Sequence, residues 1–231
     1  MKQLTAQAII LSRTDYGEAD RILTVLTPEY GKLRVLARGV RKVKSKLAGG
    51  IELFSVSQIS FIKGRGDIDT LVSTRLVKHY GHIVEDLERT MAAYELIKQL
   101  NRITEDEVEE GYFELLHHAF AALDDRTIPL LLVQVWFSAQ LLRLGGHTPN
   151  LQTDVSGAKL QPGEGYDFSF ESVCFDPSSG QGRFTADHIK LLRLLFAGHQ
   201  PAALAKVQGS ERLVKGILPL VTTMRQTYLQ V

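Results

Sequence analysis

The side chains with the clearest chemical purpose in this sequence are cations. From Arg38 to Lys46 the chain carries Arg38, Arg41, Lys42, Lys44 and Lys46, five basic residues in nine, and no acid occurs from Tyr30 to Ile51. Like charge at that density attracts a polyanion, and a phosphate backbone offers one along its whole length. Arg34 lies just upstream, and Lys63 and Arg65 flank Gly64 further on. Aromatic rings are interleaved. Tyr16 and Tyr30 fall in turn-like segments and are candidate stacking faces, Phe54 and Phe61 more simply fill a core, and Tyr80 is a further ring in the series. Cations that neutralise phosphates beside faces that stack bases make up the chemistry of single-strand binding.

Catalytic constellations are weak by comparison. His117 and His118 are adjacent, so on a helix they point about 100° apart and cannot share a metal as i, i+4 ligands do. Glu107, Glu109, Glu110 and Glu114 read as a solvated acidic face. The sequence contains no GxSxG, phosphate-loop or dinucleotide glycine pattern, and Gly64-Arg65-Gly66 is a turn. Cys174, between Val173 and Phe175, reads as buried and inert. As the only cysteine it can form neither an intramolecular disulfide nor a thiolate metal site, and it fits a reducing cytosol. The expectation is a protein that is not an enzyme and takes no cofactor.

The formal net charge of +1 conceals a strong asymmetry. Residues 1–80 hold 14 Lys/Arg against 7 Asp/Glu, residues 81–150 hold 5 against 12, and the remainder is nearly balanced. A positive N-terminal module followed by an acidic segment implies two surfaces with different partners. No apolar run reaches membrane-spanning length, and the N-terminus leads into alternating sequence instead of a secretory core, so a cytoplasmic location is expected.

The elements that must position the cations are strands. Ala6–Thr14, Arg21–Thr27, Lys32–Arg38, Ile51–Ile62 and Ile68–Lys78 alternate or are rich in β-branched residues, with turns between them. In the third, Leu33, Val35 and Ala37 share one face and the basic residues take the other. Five short antiparallel strands suit a small closed barrel of OB type; an SH3-like barrel is the alternative. The period then becomes helical. Tyr80–Ile103 carries Ile83, Leu87, Met91, Tyr94 and Leu100 on one predicted face. Thr104-Glu105-Asp106-Glu107 resembles a capping box leading into Val108, Tyr112, Leu115, Leu116 and Phe120. Ile128–Leu144 is nearly continuous in apolar residues and reads as central to a bundle, and Gly145-Gly146 ends it. Residues 147–183, with Pro149, Pro162, Pro177 and five glycines, read as loop-rich. Thr185–Ala197 and Ser210–Leu229 are further helices, with a short helical turn around Pro201–Lys206. The predicted class is α+β: a barrel over 1–79, then a helical domain over 80–231 with the insert at 147–183.

Ala8-Ile9-Ile10-Leu11, Tyr16-Gly17-Glu18-Ala19-Asp20-Arg21, Thr27-Pro28-Glu29-Tyr30-Gly31-Lys32 and Ala37-Arg38-Gly39-Val40-Arg41 with Ser45 resemble bacterial RecO proteins, as does Leu142-Arg143-Leu144-Gly145-Gly146-His147-Thr148-Pro149. The likeness is tight over 1–78 and looser afterwards. It implies a recombination mediator that binds single- and double-stranded DNA, anneals complementary strands, contacts the single-strand-binding protein SSB and, with RecR, helps load RecA. On that likeness the helical domain receives the acidic, apolar tail of SSB, and Arg143, the only cation of the third helix, is the candidate receptor, with a capping role at the C-terminus of that helix as the equal alternative. Many relatives carry a four-cysteine zinc module in the insert. Here Thr153, Ser156 and Arg183-Phe184-Thr185 stand near the expected ligand positions. No structural zinc is therefore expected, and Phe168, Phe170, Val173 and Phe175 are expected to form a small apolar cluster instead.

Overall fold

The computed structural model describes residues 2–104, 111–178 and 182–231. Alternation along β1 (Gln3–Tyr16), β2 (Asp20–Thr27), β3 (Gly31–Ala37), β4 (Ser55–Ile62) and β5 (Ile68–His79) buries one face of each strand. Ala6, Ala8, Ile10, Leu23, Val25, Val35, Ala37, Ile59, Phe61 and Leu71 meet inside. The strands close into a barrel in the order β1-β2-β3-β5-β4, as expected for the OB type. Pairing is antiparallel except between β3 and β5, which run parallel with Arg34 opposite Ile68. β1 serves two neighbours: residues 3–9 pair with β4 and residues 9–16 with β2. A register slip between Ile10 and Ser12 accompanies the change of partner, and such a bulge bends a strand enough to help close a barrel.

After β5, a 3₁₀ turn at Gly81–Ile83 leads to α1 (Leu87–Ile103), whose N-cap Asp86 accepts from the Arg89 N–H at 3.1 Å. Its buried face is Arg89, Ala92, Ala93, Leu96, Ile97 and Leu100. This corrects the expected face: Leu87, Met91 and Tyr94 are exposed. Apolar residues occur on both sides of this helix, so periodicity alone could not select the side that packs. Thr104 ends α1, its Oγ donating to the Leu100 carbonyl at 2.8 Å. The remainder of the expected capping box and Glu107, Glu109 and Glu110 lie outside the described residues. α2 (Tyr112–Asp124) follows. Phe54, held at φ +54°, stacks edge-on against Tyr94 and Phe120, so one ring ties the barrel to both helices. The barrel, α1 and α2 form one compact unit, Met1–Asp124, and Asp125–Val231 forms the other.

In the second unit α3 (Leu130–Leu144) is buried on nearly all sides and packs against α4 (Ala186–Phe196), α5 (Pro201–Leu204) and α6 (Ser210–Tyr228). α4 starts with a capping box in which His188 takes the acidic position, its Nδ1 accepting from the Thr185 N–H at 3.1 Å. The insert holds more regular structure than its loop-like composition suggested. β6 (Asn150–Asp154), β7 (Gly165–Ser169) and β8 (Cys174–Ser178) form a sheet in the order β6-β8-β7. Five-residue strands among prolines and glycines are too short to show a period. Phe175 is fully buried and touches Phe168, Tyr166 and Phe184 edge-on. Phe170 packs on Phe168 at the rim, and Val173 occupies a left-handed turn (φ +52°). The cluster thus recruits Tyr166 and Phe184, which the sequence reading left out.

Next to it, Asp154 Oδ1 accepts from the Ser156 N–H, the Ser156 hydroxyl and the Ala158 N–H at 2.8, 2.6 and 3.0 Å. These bonds, the Ser156 hydroxyl foremost, hold the Asp154 carboxyl below the usual carboxylate range. The donors do not fit a four-thiolate zinc site: Cys174 is buried with its thiol directed at the Ser172 hydroxyl, and a carboxylate-centred turn stands at 153–158.

Candidate nucleic-acid interface

The cationic loop is built from β3 outward. Val35 and Ala37 point into the barrel, and Arg34, just before Val35, points out and is exposed. Lys32 is partly buried, its Nζ donating to the Thr104 carbonyl at 2.8 Å. After Arg38 the chain turns at Gly39, whose φ of +63° suits a residue without a side chain. The Gly39 N–H donates to Asp20 Oδ1 at 2.6 Å and the Arg41 N–H to the Ala19 carbonyl at 2.9 Å, which pins the loop to the β1–β2 hairpin. Val40 is buried as a plug, and Leu47, Ile51 and Leu53 pack against the barrel core on the return. At the far end Gly50 lies so close to the Thr74 side chain that a Cβ there would overlap it, and the Thr74 hydroxyl donates to the Leu47 carbonyl at 3.1 Å. The backbone is therefore fastened at both ends while Arg38, Arg41, Lys42, Lys44 and Lys46 all project into solvent. Val43 at the tip is fully exposed.

Most of this charge is uncompensated. Arg41 lies 3.5 Å from Asp15, and Arg21 binds the same carboxylate at 2.8 Å. The Arg21 hydrogen bond, with the charges of Arg41 and Arg13, holds the Asp15 carboxyl below the usual carboxylate range. Arg34, Arg38, Lys42, Lys44 and Lys46 have no acidic partner among the described residues. Tyr16, 56% exposed, ends β1 on the hairpin to which the loop is pinned, so its ring stands at the same end of the barrel.

Lys63 and Arg65 do not join this group. Their turn precedes Ile68, which pairs with Arg34, whereas Arg38 follows Arg34, so Arg65 stands roughly 20 Å from Arg38 along the strands, with Arg34 between them. Lys63 also lies 3.6 Å from the buried Asp69 carboxylate. Tyr30 packs edge-on against Phe61, 5.5 Å between centroids, and belongs to the core rim; it is not a stacking face. Phe54, Phe61 and Tyr80 are buried. Burial pushes the Tyr80 hydroxyl up to about 12, with Asp124 and Glu114 adding to the shift. The anchors Asp15 and Asp20 escaped the sequence reading because nothing local shows which carboxylate accepts from Gly39.

In the second unit, Arg143 is exposed near the end of α3, its Nε donating to Gln140 Oε1 at 2.9 Å. The final carbonyls of α3 are taken by the N–H groups of Gly145, Gly146 and His147. The adjacent imidazoles of His117 and His118 stack in parallel, 5.8 Å apart. No group of three or more His, Cys, Asp or Glu among the described residues could hold a metal, and no described helix is long and apolar enough to cross a membrane.

An OB-type barrel with an exposed cationic loop, continued by a helical region, defines a class of proteins shaped to meet a polyanion. Residues 1–80 match the family model described as Recombination protein O N terminal, and residues 84–231 match Recombination protein O C terminal; the chain belongs to the RecO family, and its role is in DNA repair. It is 29% identical over 196 residues to the DNA repair protein RecO of Halalkalibacterium halodurans, covering 83% of this chain and 76% of that one. It is 35% identical over 147 residues to the protein of the same name from Dehalococcoides mccartyi, covering 63% and 57%. The Listeria innocua protein of that name is 29% identical over 197 residues, covering 82% and 76%.

Proposed function

We propose that this protein is a non-catalytic recombination mediator in the cytoplasm, associated with the nucleoid. It binds single- and double-stranded DNA, anneals complementary strands and, with RecR, helps load RecA onto SSB-coated DNA. The observation that carries the DNA-binding reading is the loop fastened at both ends with Arg38, Lys42, Lys44 and Lys46 exposed and without acidic partners. Family membership carries the mediator role. Residues 1–79 are the DNA-binding module in this reading and 80–231 the module for protein partners. Arg34, Arg38, Arg41, Lys42, Lys44 and Lys46 neutralise phosphates, and Tyr16 offers a base its exposed ring. Lys63 and Arg65 extend the track along the strands and meet DNA only if it follows the barrel for that length. Screening phosphate charge lets two complementary strands approach, which is the physical basis of annealing without turnover. Arg143 receives the acidic tail of SSB.

The test is an annealing assay with SSB-coated complementary strands. This protein should accelerate duplex formation, and RecR should then promote RecA loading. An adaptor that merely contacts protein or RNA would bind the SSB-tail peptide and leave the annealing rate unchanged. That outcome would replace the mediator reading.

A further inference from the structure

Beyond Thr70, β5 has a strand neighbour on one side only. β3 pairs with it at Ile68, Asp69 and Thr70, whereas β4 follows it through to His79. The open edge carries cations and apolar groups together. Arg75 and Lys78 are exposed, and Val72, Leu76 and Val77 are 42, 44 and 50% exposed. The β4–β5 register slips at Val72 and again at Val77, and bulges of this kind turn side chains out of the alternating row. Cations alone would blunt such an edge against pairing, but three exposed apolar side chains would not. The segment therefore matches a ligand that offers both negative charge and flat apolar faces.

The cationic loop ends against this segment. The Thr74 hydroxyl donates to the Leu47 carbonyl at 3.1 Å, and Gly50 packs on the Thr74 side chain. Lys46 and Arg75 each lie one residue from that bond, so at 3.8 Å per step their Cα atoms are within roughly 15 Å of each other. Charge keeps one sign across the junction, because residues 30–51 and 70–84 contain no acid. Arg75 Nη2 donates to the neutral Gln58 Oε1 at 2.9 Å, which leaves its charge uncompensated. The carboxylates that flank these segments are engaged: Asp69 is buried 3.6 Å from Lys63, and Glu52 lies 2.9 Å from Arg13. Lys78 lies 5.7 Å from the centre of the Tyr80 ring. Glu114 and Asp124, whose charges act on the Tyr80 hydroxyl, are each 3.6 Å from an imidazole, of His117 and His82 respectively. With those acids near Tyr80, Lys78 counts for less than Arg75.

We propose that single-stranded DNA leaving the cationic loop continues along the open edge of β5. Arg75 is then a phosphate contact and Lys78 a weaker one, while Val72, Leu76 and Val77 meet sugars and unstacked bases. This rests on the DNA-binding reading of the loop and gives the strand a direction, away from Lys63 and Arg65. Continuity with the loop, across a junction without acids, favours nucleic acid over an acidic peptide strand added to the same edge. A single strand can follow the change from loop to strand edge, whereas a duplex is stiff over about 150 base pairs. The edge of β5 thus adds to single-strand affinity and contributes little to duplex binding.

Anisotropy titrations of the full chain with a labelled oligothymidine of about 20 nucleotides, longer than one OB-fold site, test this at several salt concentrations. Arg75→Ala/Lys78→Ala should make the slope of log K against log salt shallower by roughly 1, since each single-strand phosphate contributes about 0.7 and Lys78 counts in part. Duplex affinity should change by less than about 2-fold. Arg75→Lys keeps the charge without the guanidinium and should retain the wild-type slope; a slope lost there would reduce Arg75 to its bond with Gln58 and overturn the contact. Cys174 is buried, so an environment-sensitive dye on Leu76→Cys labels the introduced thiol and should respond to the oligonucleotide. Circular dichroism reports whether each variant is folded. An unchanged slope in the double variant, an equal loss for duplex, or a dye blind to the oligonucleotide overturns the proposal, even if the variant loses affinity for an acidic peptide. Those results beside a weakened loop variant leave the DNA-binding reading standing, whereas a loop variant without effect ends both.

Discussion

Replacing Arg38, Arg41, Lys42 and Lys44 together by Ala removes the centre of the cationic loop. The backbone of that loop is held by Gly39 to Asp20, Arg41 N–H to Ala19, and Thr74 to Leu47, none of which uses the deleted atoms. The fold should therefore survive and only the charge be lost. Three of the four cations have no acidic partner, while Arg41 shares Asp15 with Arg21 and counts for less. Each phosphate neutralised on a single strand contributes about 0.7 to the slope of log K against log salt, so the variant's slope should be shallower by roughly 2 to 3. Between about 50 and 200 mM salt this removes roughly 20- to 50-fold of salt sensitivity. Fluorescence anisotropy with a labelled oligonucleotide, titrated at several salt concentrations, measures both slope and affinity. The Lys63→Ala/Arg65→Ala pair, at the other end of β3, serves as a comparison: a much smaller change places DNA chiefly at the loop, and an equal change extends the track along the strands. A slope and low-salt affinity unchanged in the fourfold variant refute the assignment of this loop.

Three further outcomes are expected. His188 accepts the Thr185 N–H only when its Nδ1 is unprotonated, and burial, helped by Arg212 and opposed by Asp187, lowers its pKa from 6.5. The unfolded chain thus takes up the proton first, so this contribution is fully present above pH 6.5 and is lost as pH falls through the folded-state value. His188→Gln, which retains a capping acceptor, should flatten the acid side of the urea-unfolding profile; an unchanged slope rejects the cap as its source. Phe54→Ala should cost about 3 to 5 kcal/mol in urea unfolding of the first unit, since its ring contacts both Tyr94 and Phe120 from a fully buried position, and a loss below about 1 kcal/mol would contradict that role. Untagged protein from zinc-supplemented growth should contain far less than one zinc per chain, with a melting temperature indifferent to chelator; stoichiometric zinc by elemental analysis would show that the insert finds donors other than thiolates.

The barrel and the cationic loop were legible in the sequence for a simple reason. Alternation along Lys32–Arg38 and Ile51–Ile62 is a local signal with a period of two, and five cations within nine residues need no partner to be recognised. The absence of a thiolate zinc set was equally a matter of composition, because one cysteine cannot supply four ligands. Relations between distant residues belonged to the tertiary structure. Folding alone decided that the Leu87–Met91–Tyr94 side of α1 faces solvent and the Ala93–Leu96–Leu100 side the interior, because both rows are apolar and only the packed neighbours distinguish them. It gave Tyr30 to the core rim, joined Tyr16 to the loop through the Asp20–Gly39 bond, and set Lys63 and Arg65 apart from it through the parallel β3–β5 register. The chain by itself determined that a polyanion-seeking charge exists and that strands carry it; the closed barrel decided which cations share a surface, since proximity across strands follows from register and not from sequence distance.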